Sequence, residues 1–270
     1  MRILFAGDIM GRSGREALER HLPEVRQRLQ PDVVIVNGEN ASNGAGITEK
    51  ICQQFYDWGV DCITTGNHVW DQREIITTIG RDEKLIRPFN YPAGTPGHGL
   101  YRFRISDGRV ITILNGMGRL YMDPLDDPFQ GIQTLLAKEV LGKNTQAIFV
   151  DFHAETTSEK MSFAHYIDGR VSAVVGTHTH IPTADAHVLK HGTAYMTDAG
   201  MTGDYDSVIG VEKAIAMHRF IKKMPGERLK PAGGTGTFCG CFIVTDEKTG
   251  LAKSIAPIRI GGVLPEVWPL

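Results

Sequence analysis

Asp8, Glu39, Asn40, Asn67, His68, His153, His178 and His180 are the residues of this 270-residue chain whose types and placement bear on chemistry. Each stands where an apolar, strand-like run stops. "RILFAG" leads to Asp8, "DVVIVNG" to Glu39 and Asn40, "CITTG" to Asn67 and His68, "AIFVDF" to His153, and "SAVVGT" to His178 and His180. Taken singly, each has an ordinary structural reading: Asp8 as the cap of a following helix, "GEN" and "GNH" as turn chemistry, His153 as a hydrogen-bonded structural residue. The repetition favours a common destination, because ligands of open α/β sheets bind beyond the carboxyl ends of the strands. Gly7, Gly38 and Gly66 precede three of these residues and would let the backbone turn sharply or approach a bound group. Imidazoles mixed with carboxylates and amide oxygens suit ions such as Mn, Fe, Zn, Co or Ni rather than calcium. The candidates are too many for one tetrahedral site. Two ions about 3.5–4 Å apart with a shared carboxylate would use them all and could clamp a phosphoryl group.

The elements that must position these residues follow from hydropathy. β-Branched runs alternate with helix-period segments through the first two-thirds of the chain. Further strand signals in "GLYRFRI", "RVITILNG", "HVLKHGTAYMT", "GTFCGCFIVT" and "LAKSIAPIRI" predict antiparallel strands flanking the core. The expected architecture is a two-sheet α/β sandwich with mixed sheets flanked by helices, in a single domain spanning 1–270, its site residues gathered along one sheet edge. In "REALERHLPEVRQRL", Leu18, Leu22, Val25 and Leu29 share a face, and Pro23 is expected to kink or break the helix. "VEKAIAMHRFIKKM" predicts a helix with Val211, Ala214, Ile215, His218 and Ile221 on its buried stripe.

Composition narrows the function classes. With 41% hydrophobic and 22% charged residues and a net charge of −2, the chain reads as an ordinary globular protein without a broad nucleic-acid-wrapping surface. No segment has the form of a signal peptide or a membrane span, which predicts a cytoplasmic protein with no membrane partner. Cys52, Cys62, Cys239 and Cys241 show neither disulfide density nor zinc-finger spacing and read as buried free thiols. "GDIMGRSG" fits neither of the glycine-rich nucleotide-binding fingerprints. Arg12 reads as a solvated surface residue, with substrate contact as its alternative, and "KPAGGTGT" as a flexible loop that could also cradle a phosphate; Asp151 and Glu155 read as supporting groups around His153, with a solvent-facing position equally open to Asp151.

The combination "GDIMG", "NGENASNG", "TGNHVWD", "DFHAE" and "GTHTH" resembles the calcineurin-like metallophosphoesterases, and within them the YmdB-like branch, which hydrolyses cyclic nucleotides and other phosphodiesters. The resemblance implies Asp8 and His180 on a first metal, Glu39 bridging both ions, and Asn67, His153 and His178 on the second. His68 falls where the family has the proton donor to the leaving oxygen. The commoner superfamily pattern has a histidine where Met10 stands and an aspartate where Glu39 stands. Asn40 is then the replacement ligand through its amide oxygen. An oxygen in place of a nitrogen favours iron or manganese, with zinc or magnesium as alternatives. The implied activity is hydrolysis of 3′,5′-cAMP, 2′,3′-cyclic nucleotides or related small phosphodiesters by attack of a metal-bridging water. Two alternatives remain at this point: a regulatory metal- or nucleotide-binding protein with little turnover, and a phosphomonoesterase. Homo-oligomerisation is left open.

Overall fold

Apolar runs with a period of two become strands, and the polar residues that end their inward rows determine where the core stops. The computed structural model describes residues 1–269. Its elements in chain order begin β1 (Arg2–Ala6), α1 (Gly11–Leu29), β2 (Val33–Asn37), α2 (Glu49–Asp57), β3 (Cys62–Thr64), α3 (Ile75–Thr78), β4 (Leu100–Arg104) and β5 (Val110–Met117). They continue α4 (Pro128–Leu136), β6 (Ala147–His153), α5 (Thr157–Tyr166), β7 (Ala173–Thr177), β8 (His187–Val188) and β9 (Ala194–Met196), then α6 (Lys213–Lys222), β10 (Phe238–Thr245) and β11 (Ala252–Ile260).

One sheet has the order β11-β10-β1-β2-β3 and the other β4-β5-β6-β7-β9-β8. In the first, β1, β2 and β3 run parallel, and the β10–β11 hairpin adds antiparallel to β1. In the second, β5, β6, β7 and β9 are parallel and the edge strands β4 and β8 are antiparallel. The expected mixed two-sheet sandwich is therefore the fold. The sheets face each other across a layer in which Ile3, Phe5, Val33, Ile35 and Cys62 meet Ile111, Ile113, Ala147, Phe149, Ala173 and Val175. Phe5 and Phe149 touch across it with ring centroids 5.0 Å apart. The opposite face of the first sheet packs on α1 and α2 through Leu18, Leu22, Val25, Ile51 and Phe55. That of the second packs on α4 and α5 through Ile132, Leu136, Phe163 and Ala164.

The inner layer changes character toward the carboxyl ends of its strands. The rows Val33–Ile35, Cys62, Ile111–Ile113, Ala147–Phe149 and Ala173–Val175 continue, two residues on, as Asn37, Thr64, Asn115, Asp151 and Thr177, all fully buried. Asp151 binds them together. It accepts from Asn37 Nδ2 at 2.9 Å, from Thr64 Oγ1, and from Thr177 Oγ1 at 2.7 Å, so one carboxylate ties β2 and β3 of one sheet to β6 and β7 of the other. The solvent-facing alternative for Asp151 is thus corrected: it shares the inward row of Phe149.

Pro23 neither breaks nor ends α1, which runs unbroken from Gly11 to Leu29. Pro23 lies on the exposed side, where the carbonyl it displaces can meet water, while Leu18, Leu22 and Val25 stay buried beneath. The α6 helix forms, but not with the expected stripe inward: Ala216 is its buried residue, Val211 lies before it, and Ala214, His218 and Ile221 are exposed. The four cysteines are free and buried, as expected. No helix among the described residues is long and apolar enough to cross a membrane.

Replacing Asp151 with Ala strands three buried donors at once. Each unsatisfied group costs about 1–3 kcal/mol, so the metal-free variant should lose more than about 3 kcal/mol in urea denaturation. A loss below about 1 kcal/mol would mean that the sheets do not depend on this carboxylate.

Candidate metal centre

Five strands deliver the site, three from one sheet and two from the other. Asp8 follows β1, Glu39 and Asn40 follow β2, and Asn67 and His68 follow β3; His153 ends β6, and His178 and His180 follow β7. The expectation of a single sheet edge is thereby corrected: the residues meet where the carboxyl ends of both sheets come together. Gly66 permits that closeness, since a Cβ there would overlap Glu39 Oε2 and the His153 ring.

The residues fall into two adjoining groups. In one, His153 Nε2 lies 3.1 Å from Glu39 Oε1, 3.0 Å from Asn67 Oδ1 and 3.1 Å from His178 Nδ1. In the other, His180 Nε2 lies 3.0 Å from Asn40 Nδ2 and 4.0 Å from Asp8 Oδ1. Glu39 joins the groups, its Oε1 accepting from Asn40 Nδ2 at 3.3 Å. Asp8 Oδ2 accepts the His178 amide at 3.2 Å, whereas Asp8 Oδ1 is buried with no hydrogen-bond partner. A buried orphan carboxylate oxygen is costly. Beside converging imidazole, amide and carboxylate groups it makes a cavity suited to cations, and Glu39, His153 and His178 are close enough to hold a metal ion together. Asn40 presents its nitrogen to His180, and its amide must turn over to offer oxygen.

Without ions the charges settle among themselves. Burial opposes the Glu39 carboxylate, but the His153 charge and hydrogen bond, with His68 and His178 beyond, pull its pKa down to about 2. Burial likewise opposes the His153 cation, and Glu39, Asp8 and Asp151 outweigh it, raising His153 to about 9. Burial and the neighbouring His153 charge lower His178 to about 3, so it stays neutral. Burial pushes Asp8 above the ordinary carboxylate range, against the pull of His180 and His153.

The supporting hydrogen bonds fix which nitrogen faces inward. Burial raises the Asp151 pKa to about 6 against the pull of His153 and its hydroxyl partners, which leaves it mainly ionised, hence acceptor-only, at neutral pH. Thr177 donates its one hydroxyl proton to Asp151 and so accepts from His153 Nδ1–H, 2.8 Å away. His153 Nε2 is thereby the nitrogen available to a ligand. His180 Nδ1–H donates to the Ile209 carbonyl at 2.8 Å, turning its Nε2 to the site. His178 Nε2 faces the exposed Glu155 at 3.1 Å, turning its Nδ1 inward. Glu155 is thus the supporting group expected; Arg12 is a surface residue beside Glu16.

Holding two histidines one residue apart strains the chain. His178 and His180 have φ of 97° and 67°, a region non-glycine residues rarely adopt. Between them Thr179 donates its amide at 3.1 Å and its hydroxyl at 2.7 Å to Asp198 Oδ2, which also pairs with the fully buried Lys160 at 2.7 Å. Sequence reasoning missed this clamp. Asp198 closes the run "TAYMT" as Asp8 closes the first, a signal that could have found it; Lys160, polar within a helix, gave none.

His68 donates its amide to Glu39 Oε2 at 3.3 Å, and its Nδ1 is 2.8 Å from Asp71 Oδ2. With Nδ1 held by Asp71, the other ring nitrogen is free to serve the cleft. That cleft, ≈ 370 Å³, is lined in part by Glu39, Asn40, His68, His178 and His180. A larger hollow, ≈ 590 Å³ between Glu49 and Tyr101, contains none of these residues.

Comparisons with known proteins place the chain in a family. The family model described as "YmdB-like protein" matches residues 4–258. A Bacillus subtilis protein named 2′,3′-cyclic-nucleotide 2′-phosphodiesterase is 45% identical over 260 residues, covering 96% of this chain and 97% of its own. A crystal structure of a hypothetical protein from Thermus thermophilus superposes with a TM-score of 0.89 at 43% identity, covering 96% and 99% of the two chains. That of a novel phosphatase from Mycoplasma pneumoniae gives 0.90 at 32%, covering 96% and 93%. The chain belongs to the YmdB-like family, a branch of the metallophosphoesterases.

Proposed function

We propose that the protein is a dinuclear metal-dependent phosphodiesterase that opens 2′,3′-cyclic nucleotides, with 3′,5′-cyclic nucleotides as further candidates. The observation that carries this reading is the pair of donor groups joined by Glu39, with Asp8 Oδ1 buried and unpartnered between them. Asp8, Asn40 and His180 would hold one ion and Asn67, His153 and His178 the other, with Glu39 shared. Mixed nitrogen and oxygen donors suit iron or manganese. When bound, such a pair supplies Lewis acidity toward phosphoryl oxygens and lowers the pKa of water.

The chain's own residues do the rest. Water gives up one proton to solvent and adds to phosphorus as the bond to O2′ breaks, leaving a 3′-phosphomonoester and a free 2′-hydroxyl. His68, its ring set by Asp71, donates the proton that the departing oxygen takes up and is reprotonated from solvent afterwards. The Bacillus subtilis relative's printed name supports the 2′,3′-cyclic substrate. The word phosphatase on the Mycoplasma pneumoniae structure keeps the monoesterase reading in play.

Protein purified with its native metal should contain iron or manganese and turn over 2′,3′-cAMP and bis-nitrophenyl phosphate much faster than nitrophenyl phosphate. Preference for the monoester would favour the monoesterase. Metal-loaded protein that binds nucleotide without turnover would favour a regulatory role. His68→Ala should retain metal but lose about 10²–10⁴-fold in kcat on 2′,3′-cAMP. It should lose far less on the bis-nitrophenyl ester, whose leaving group needs no proton; equal losses on both would remove His68 as the donor.

In the metal-free protein His153 keeps its second proton up to about pH 9. An ion taking the Nε2 lone pair must displace that proton. Apparent metal affinity should therefore climb about tenfold per pH unit toward that pKa and level off above it, with proton release visible by calorimetry in buffers of different ionisation heat. A flat profile from pH 6 to 9 would mean that binding displaces no proton from His153 in that range.

A further inference from the structure

The cleft beside the site is lined by two unlike sets of residues. Besides Glu39, Asn40, His68, His178 and His180 it has Arg219 of α6 and, in the segment after it, Arg228 and Lys230. Lys230 is paired with Glu227 at 3.0 Å. Arg219 donates to the Glu227 carbonyl, and neither Arg219 nor Arg228 forms an ion pair among the described residues. Glu39 is the one acidic residue lining the cleft, and it is engaged with His153.

This basic segment is a closed excursion. Val211 bridges Pro231, the Glu212 amide donates to the Lys230 carbonyl at 2.9 Å, and the Ala232 amide to the Gly210 carbonyl at 2.8 Å. Residues 211–231 hold six Lys or Arg against two Glu, in a chain whose net charge is −2. Positive charge is therefore gathered on a segment that lines the cleft beside the site.

The phosphodiester to be cleaved carries one negative charge and belongs at the metal-competent residues. Two further guanidinium groups lining the same cleft exceed its needs, and their planar forks match a second phosphate. We propose that Arg219 and Arg228 receive the phosphate on the 5′ side of the terminal nucleoside. The favoured substrate is then a single-stranded RNA fragment ending in a 2′,3′-cyclic phosphate, rather than the free cyclic nucleotide. Met10, Ile209, Val211 and Pro231 line the cleft as well and offer apolar surface to the terminal nucleoside. The proposal rests on the phosphodiesterase reading and extends its substrate class.

The test compares kcat/KM of the metal-loaded full chain on 2′,3′-cAMP and on a tetraribonucleotide ending in adenosine 2′,3′-cyclic phosphate. The wild type should favour the tetranucleotide by about tenfold or more, with that ratio falling as salt rises. The double variant R219A/R228A should reduce the ratio about tenfold, whereas K222A, which removes a cation of the same helix outside the cleft, should not alter it. Metal-free protein should also bind the same RNA bearing a 3′-phosphate by fluorescence anisotropy, and the double variant should bind it about tenfold more weakly. A ratio near one in the wild type, or one equally reduced by K222A, overturns the second-phosphate site while leaving the diesterase intact. No turnover of either substrate overturns the diesterase reading itself. Cosedimentation with anionic phospholipid vesicles that R219A/R228A abolishes, with no effect of the variants on RNA, would assign the basic segment to a membrane surface instead.

Discussion

The carboxylate of Asp151 is the constraint on which the site's geometry rests. It lies where the space between the sheets stops being apolar, and its three donors come from β2, β3 and β7. Two layers that share only hydrophobic contacts can slide, because dispersion and apolar burial have little directionality. A buried carboxylate accepting directed hydrogen bonds from both layers has one low-energy arrangement. Since Asn37, Thr64 and Thr177 each lie within a few residues of a site group, the same bonds that fix the sheets in register fix the distance between Glu39, Asn67 and His178.

The site is costly to the metal-free fold. Asp8 and Glu39 bring acidic groups into the interior, and His178 and His180 hold backbone torsions that the chain would otherwise avoid. The structure offsets this locally. His153 takes a proton and pairs with Glu39, and Lys160 with Asp198 pins Thr179, so that the strained turn is held from beneath. A buried ion pair of this kind is weak evidence of added stability, but loss of one member leaves the other charged and alone. The clamp therefore serves position more than strength.

Much of the site was legible because strand ends are where period-two apolar patterning fails abruptly, and Asp8, Glu39, Asn67, His153 and His178 all fall at such points. Two sheets were expected, but sequence alone did not show that the strands carrying the site divide between them, since parallel neighbours such as β2 and β3 read the same as strands facing each other across a core. The polar ends of the inward rows were visible in "VVIVNG", "RVITILNG" and "AIFVDFH" by the same period, yet without a partner sheet Asp151 had no assigned direction. The α1 and α6 errors have other causes. Pro23 is harmless on a wet face, and the α6 stripe is left exposed because that helix is anchored through Ala216 beside Met10 and Met201 rather than laid on a sheet.

The bridge between Val211 and Pro231 has an evolutionary corollary. It closes a loop whose two ends meet, so residues can be inserted, deleted or exchanged between them without shifting the strands that carry the site groups. The basic segment and the strand ends that carry the site groups are thus separately variable parts of one chain. A descendant could reshape the lining of the cleft by rewriting some twenty contiguous codons.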